Sequence, residues 1–388
     1  MSPYDRFIKP LDQMASAALE SVADLVNTRP PLDTGYADEP IELPRALFSR
    51  PNVQTEWWYY TGHCETASGR RFGFELVFFK RRTDLDKLGP MPMSLVANPM
   101  YAAHFAISDI TEGKFHYDHR RSFGGMLDPA ASACDVSFNV VLGDWSVRDV
   151  GGRHLLCALL PSGIRFDAIL DEGKPLVLNG DDGNGVSRKM KGTSHHFSFT
   201  RMDASGTISI GGAAERFSGS AWMDREYGAW EQTNWDWFSI QFDDRTELMI
   251  YQFRAEDGEA KGDSTGTFVD ADGVAEYLRK DEFSIEALGS WASTATGVEY
   301  PSGWRVRVPR LKIDVEVLPL IDDQELDTRG TTMVIYWEGA CSVSGTRAGK
   351  PVGGNAYVEL VGYDRSHESI DVADFLFGGL VRRSISSL

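Results

Sequence analysis

The densest grouping of chemistry-bearing side chains lies in residues 217–254, FSGSAWMDREYGAWEQTNWDWFSIQFDDRTELMIYQFR. That stretch holds four of the ten tryptophans, Trp222, Trp230, Trp235 and Trp237, with Asp224, Arg225, Glu226 and Asp236 among them. A buried charge must be paired or neutralised, so acids interleaved with indoles have two fates. In the structural one, Arg225 bridges the neighbouring carboxylates. In the chemical one, an apolar wall raises a carboxyl pKa, and an acid kept neutral near pH 7 can protonate an alkene. Three acids and one arginine cannot all form simple ion pairs, so at least one acid is left over. Asp224, Glu226 and Asp236 are the candidate proton donors.

Around them the candidate ligand-binding residues are Trp57, Trp58, His104, Trp222, Tyr227, Trp235, Trp237 and Tyr251. Trp57 and Trp58 alternate across a strand, so one faces the core and one the opposite side. His104 sits among Ala102, Ala106 and Ser108, small neighbours that leave room beside it. His195 and His196 are adjacent in a strand and point opposite ways. Glu56 and Glu75 interrupt apolar strands, and the expectation for them is ion pairing with Arg70, Arg71 or Arg225. No glycine-rich phosphate loop, nucleophile elbow or metal constellation is evident, so no cofactor and no metal are expected. The acidic loop at 180–185 does not match the calcium-loop spacing.

The elements that must hold these groups read as strands. Over residues 217–224, period 2 places Phe217, Gly219, Ala221 and Met223 on one face and Ser218, Ser220, Trp222 and Asp224 on the other. Residues 235–242 and 247–254 flank a polar turn and read as a hairpin. A two-residue loop there sets Asp236, Phe238, Ile240 and Phe242 on the face of Glu247, Met249, Tyr251 and Phe253. Both faces of the hairpin are apolar. One therefore packs on a core, and the other borders a cavity or a second domain.

Upstream, residues 56–63 and 71–80 form another aromatic hairpin, 101–110 a further strand, and short strands with turn signals continue to residue 210. Such spacing marks a sandwich or barrel. The chain also repeats itself. EWWYYTGH and RRFGFELVFFK echo NWDWFSIQF and RTELMIYQFR, while FSGSAWMDREYG echoes VGGNAYVELVGY. Two similar mostly-β halves follow, meeting near 229–233. Residues 8–25 predict an amphipathic helix, followed by a proline-rich arm, and residues 372–380 a short C-terminal helix.

The 388 residues carry a net charge of −18, which argues against nucleic acid or anionic membranes as partners. No run of about 18 apolar residues exists, so no transmembrane helix is expected. The N-terminus lacks a signal-peptide apolar core, because Asp12, Glu20 and Asp24 interrupt it. Four scattered cysteines indicate neither a disulfide framework nor a zinc site, and a reduced, cytoplasmic compartment is the expectation.

EWWYYTGH with GRRFGFELVFFKRR, WMDREYG with WDWFSIQFDDRTELMIYQFR, and YWEGACSVSG with GGNAYVELVGY resemble, in that order, the AttH-like/hydroxyneurosporene synthase family. That family includes the carotenoid 1,2-hydratases and is related to decalin-forming Diels–Alderases. The resemblance implies two lipocalin-like antiparallel β-barrel domains in tandem. The expected divisions are a helix and arm over 1–45, domains over 46–230 and 231–370, and a tail over 371–388. Function then reads as a cofactor-independent hydratase or cyclase acting on an apolar polyene or isoprenoid-like ligand between the domains, by protonation of a C=C bond. A pericyclase on a polyene and a non-catalytic carrier of a hydrophobic small molecule are the alternatives.

Overall fold

The computed structural model describes residues 40–364 apart from 85–86, 89–90, 93–97, 124–129, 181–182, 188–191, 230–233 and 256–257. Both expected terminal helices, and Trp230, lie outside the described residues. Among the described residues the helical pieces are short 3-10 turns, including Arg45–Leu47, Lys280–Glu282 and Pro309–Leu311, and no α-helix is present. No described helix is long and apolar enough to cross a membrane.

Two large antiparallel sheets make up the body, one of 13 strands closing almost into a barrel and one of 10 strands curling into a half-barrel. In the first, the hairpin Thr55–Thr66 and Arg71–Arg81 is flanked by Met100–Asp109 on one side and Ala213–Ala229 on the other. Next across come Thr193–Ile210, Arg165–Glu172 and His154–Leu159. The second sheet repeats this order. Its hairpin Asn234–Phe242 and Glu247–Arg254 lies between Thr265–Val269 and Lys350–Val361, with Ile335–Arg347, Ile313–Pro319 and Glu299–Val308 beyond. The repeat read from the sequence is thus a repeat of strand order.

Alternation sends one set of side chains inward in each sheet. The first core collects Trp58, Tyr60, Phe74, Phe105, Trp145 and Phe166, and the second Phe238, Ile240, Leu248, Ile250, Trp304 and Trp337. Residues 195–202 and 207–210 belong to one long strand, irregular between Phe199 and Met202, where its pairing with Ala213–Ala229 shifts.

The 235–254 hairpin differs from the sequence expectation by one residue of register. Trp237 pairs with Tyr251 and Ser239 with Met249, so the odd-numbered residues of both strands share a face. The connection is a three-residue one. The Phe242 N–H reaches the Thr246 carbonyl at 2.9 Å, the Arg245 N–H returns to the Phe242 carbonyl at 3.1 Å, and Arg245 holds φ 62°. A left-handed residue closing such a loop fixes the register, and a slip of one residue moves every side chain to the other face.

Candidate functional site

The outer face of the Thr55–Thr66 hairpin and its neighbours packs against the outer face of the second sheet's hairpin and its neighbours. Gly73 permits the approach: a Cβ there would lie 2.5 Å from the Ala340 Cβ. Polar pairs pin the layers together, with Ser108 Oγ donating to Gln324 Oε1 at 2.6 Å, Ser220 Oγ to Gln241 Oε1 at 2.7 Å, and His63 Nε2 lying 2.9 Å from the Ala356 carbonyl. Between them lies an aromatic cluster of Tyr59, Trp222, Trp237, Tyr251, Phe253 and Tyr357, edged by Trp57, Phe79 and Trp235. Tyr59 meets Trp237 edge-on at 5.2 Å, and Trp222 meets it edge-on at 6.1 Å. His104 joins through Phe79, with ring centroids 5.1 Å apart. Six of the eight ring residues named from the sequence (Trp57, His104, Trp222, Trp235, Trp237, Tyr251) therefore border one interlayer.

Five carboxyl side chains enter the same interlayer. Asp224 and Glu226 share the Trp222 face of their strand, as period 2 requires. Asp224 Oδ1 accepts from Trp222 Nε1 at 2.7 Å and from Ser198 Oγ. His196 Nε2 lies 3.2 Å from Asp224 Oδ2, but its alignment is not that of a hydrogen bond. Glu226 accepts from Ser194 Oγ at 2.6 Å. Glu75 accepts from the Tyr336 hydroxyl at 3.0 Å, Glu338 from the Tyr59 hydroxyl at 2.7 Å, and Glu359 from Trp235 Nε1 at 2.8 Å. Glu338 and Glu359 are cross-strand neighbours.

Burial dominates the electrostatics of the last three. It lifts Glu75 from an ordinary 4.5 to about 8, against the Tyr336 hydrogen bond that lowers it and with help from the Glu359 charge. Glu338 is held well above the carboxylate range by burial and by the charges of Glu75 and Glu359. Glu359 rises to about 7 through burial, offset by Trp235 and reinforced by Asp224 and Glu226. Among the described residues no lysine or arginine counters these shifts. Glu75 Oε2, Glu338 Oε2 and Trp237 Nε1 are buried without a hydrogen-bond partner among the described residues.

The remaining residues named from the sequence sit elsewhere. Trp58 and Tyr227 belong to the first core. Trp58 donates to the Leu47 carbonyl at 2.8 Å, while Tyr227 stacks on His195 at 5.0 Å. Asp236 lies on the opposite side of its strand from Trp235 and Trp237, bonded to Arg254 at 2.9 Å and to the Tyr363 hydroxyl at 3.0 Å. Arg225 does not bridge Asp224 and Glu226. Its guanidinium reaches Glu56 Oε2 at 2.5 Å, and Lys80 Nζ reaches Oε1 at 2.7 Å. Glu56 is ion-paired to Arg225, one of the expected partners. Glu75 has a tyrosine instead, because its face looks across the interlayer where none of the expected arginines reaches.

Glu338 and Glu359 escaped the sequence reading although the signal was present. Each is an acid inside an apolar strand, YWEGAC and AYVELV, the same signature that singled out Glu56 and Glu75. An open surface cleft of about 830 Å³ lies apart from all of these residues, with Asp263, Tyr277, Arg279 and Lys280 among its lining.

Fold and interlayer together define a protein of two tandem antiparallel β sheets that enclose an acidic, aromatic seam. The chain belongs to the AttH-like family, whose profile matches residues 34–363. It is similar to the AttH-type protein of Nitrosomonas europaea, 30% identical, with a TM-score of 0.74 over 86% of this chain and 100% of that one. Kievitone hydratase from Nectria haematococca shares the fold at 16% identity, with a TM-score of 0.65 over 86% of this chain and 97% of its own. So does CghA, solved with Sch210972, at 14% identity and a TM-score of 0.51 over 85% of this chain and 94% of its own. No curated protein sequence matches the chain.

Proposed function

We propose that the chain is a cofactor-independent enzyme of the hydratase/cyclase type, acting on an apolar polyene or isoprenoid-like molecule held between the two sheets. The observation that carries this reading is a group of carboxyls, the buried Glu75 and Glu338 and the partly buried Glu359, raised towards or above neutrality with no cation beside them among the described residues. Carboxylic acids that keep their protons at pH 7 against ring faces are general acids in waiting. Kievitone hydratase shares the fold, which fits the same chemistry.

In this reaction a carboxylic acid of the interlayer gives its proton to one carbon of a C=C bond, leaving a carboxylate and a carbocation. The faces of Trp222, Trp237 and Tyr251 stabilise the cation, an attraction of about 0.5–2 kcal/mol per ring. Water adds to the cation through its oxygen, and the proton it releases returns to the carboxylate, so the acid is regenerated. Where an internal alkene attacks instead, a ring closes and the new cation loses a proton to the carboxylate, which again regenerates the acid. Asp224, set beside Trp222, and Glu338, whose Oε2 has no partner, are the two acids assigned to the ring wall.

The test is to incubate the protein with acyclic polyenes and prenyl chains in heavy-oxygen water and follow the label, then repeat it with Glu338→Gln and Asp224→Asn. Turnover in the parent protein, lost in one variant that still quenches indole fluorescence on binding the polyene, supports acid catalysis. Turnover retained in both variants points to pericyclic closure, and binding without turnover in the parent points to a carrier.

A further inference from the structure

Glu75, one of the raised carboxyls on which the acid-catalysis reading rests, is fully buried, so its proton can exchange with solvent only through groups that lead to the surface. A line of hydrogen-bonding groups leads out from it. The Tyr336 hydroxyl, 4% exposed, donates to Glu75 Oε1 at 3.0 Å. His104 Nδ1, on a ring 2% exposed, lies 2.7 Å from the same hydroxyl. On the far side of that ring, Nε2 lies 3.5 Å from Thr332 Oγ1. Thr332 is half-exposed, in a surface turn where the next residue, Met333, is 57% exposed. Because the Tyr336 proton is directed at the carboxyl, His104 must donate from Nδ1 to the tyrosine oxygen. That leaves Nε2 as an acceptor facing the threonine hydroxyl.

We propose that Thr332, His104 and Tyr336 form a proton relay that recharges Glu75 from solvent, an inference that rests on the acid-catalysis reading above. Three hops balance the transfer. The Nδ1 proton moves to the Tyr336 oxygen as the tyrosine proton moves to the Glu75 carboxylate, and a proton from solvent enters at His104 Nε2 through Thr332. The net result is one solvent proton taken up, Glu75 protonated and the ring left as its other tautomer, with its proton on Nε2. Burial and the facing His119 keep His104 neutral, so the ring passes protons without resting as a cation. Facing the relay are His119, whose ring centroid is 6.4 Å from that of His104, and the Glu338 and Glu359 carboxyls on the Tyr336 side. His104 and Tyr336 are therefore positioning and relay residues, distinct from the acid that meets the substrate.

The experiment needs no substrate. Protonated carboxyls give an infrared band that shifts when the proton is replaced by deuterium, and the Glu75 component is identified by its loss in Glu75→Gln. The parent protein is moved rapidly into heavy water at neutral pH and the shift of that component is timed. Tyr336→Phe and His104→Gln are expected to slow it by about tenfold or more, a barrier increase of about 1.4 kcal/mol. Thr332→Val at the surface end should slow it as well. A purely structural role predicts the opposite sign, because a loosened interlayer admits water and speeds exchange. Unchanged or faster exchange in the folded variants overturns the relay. Absence of any protonated Glu75 band in the parent overturns both the relay and the acid reading. Slowed exchange without polyene turnover keeps the relay and removes only the substrate assignment.

Discussion

Replacing Glu75 by glutamine should make the protein less sensitive to rising pH, and the sign follows from linkage. Burial raises the Glu75 carboxyl from 4.5 to about 8. Between those values the unfolded chain has released the proton while the folded chain still holds it. The unfolded state therefore binds fewer protons, and unfolding free energy falls as pH rises. Stability associated with the protonated form is fully present below about pH 4.5 and lost as pH climbs through about 8. At about 1.4 kcal/mol per pKa unit, the displacement corresponds to roughly 5 kcal/mol over that window. Glu75→Gln removes this dependence but buries an amide whose donor lacks an acceptor, a cost of about 1–3 kcal/mol at every pH. The variant should be the less stable protein at pH 4.5 and the more stable one above pH 8. Urea unfolding at a series of pH values, with the slope against denaturant checked for constancy, reads the difference. A penalty that is flat with pH, or that grows towards alkaline pH, would show that Glu75 is ionised in the fold and would refute the argument.

Three further outcomes are expected. Glu56→Gln strands Arg225 and Lys80 in the first barrel, where Arg225 is 0% exposed, and should cost about 3–5 kcal/mol in chemical denaturation. Lys174→Met removes the ammonium that bonds Glu247 Oε2 at 2.7 Å and the Arg245 carbonyl at 2.5 Å; Glu247 keeps Arg201, so a loss of about 2–4 kcal/mol is expected in the same assay. Gly219→Ala would set a Cβ 2.0 Å from the His63 carbonyl oxygen. Backbone cannot yield there, so this variant should melt well below the parent in a thermal scan, whereas alanine at the open turn residue Gly69 should perturb it less.

The fold was legible because its signals are local. Alternation in 217–224 fixed which side Trp222 and Asp224 share, and the echo of the two aromatic hairpins predicted two similar mostly-β halves. The hairpin register was not legible, since it depends on Arg245 adopting a left-handed conformation that nothing in the Asp-Asp-Arg-Thr turn announces. The same distinction governs the site. Asp224 and Glu226 could be paired with Trp222 because all three lie on one strand. That Glu75, Glu338 and Glu359 look at each other is a product of two sheets meeting, which only the tertiary structure reveals. Of the two places offered for Arg225, the pairing with Glu56 is the one observed; although adjacent in sequence to Asp224 and Glu226, it points to the other face of the strand, where Glu56 waits.

The contrast between Glu56 and the interlayer acids bears on function. Glu56 and Glu75 lie on adjacent strands of the first sheet, and Glu338 and Glu359 face Glu75 from the second, yet the protein treats Glu56 and the other three differently. Glu56 receives Lys80, Arg225 and the Ser49 hydroxyl, and together the two cations hold its carboxyl below the ordinary range against the opposing effect of burial. That arrangement ties the first barrel together and needs no exchange of protons. Glu75, Glu338 and Glu359 receive only tyrosine and tryptophan donors, one each. Burying an acid without a cation costs free energy, and an apolar residue of similar size would pack there at no such cost. Neutral donors leave the proton on the carboxyl, and two of the three acids keep an oxygen with no partner at all. A stability role accounts for the first arrangement and not for the second. The proton transfer proposed above would account for the second, because it requires an acid that holds its proton at neutral pH and an oxygen free to present it.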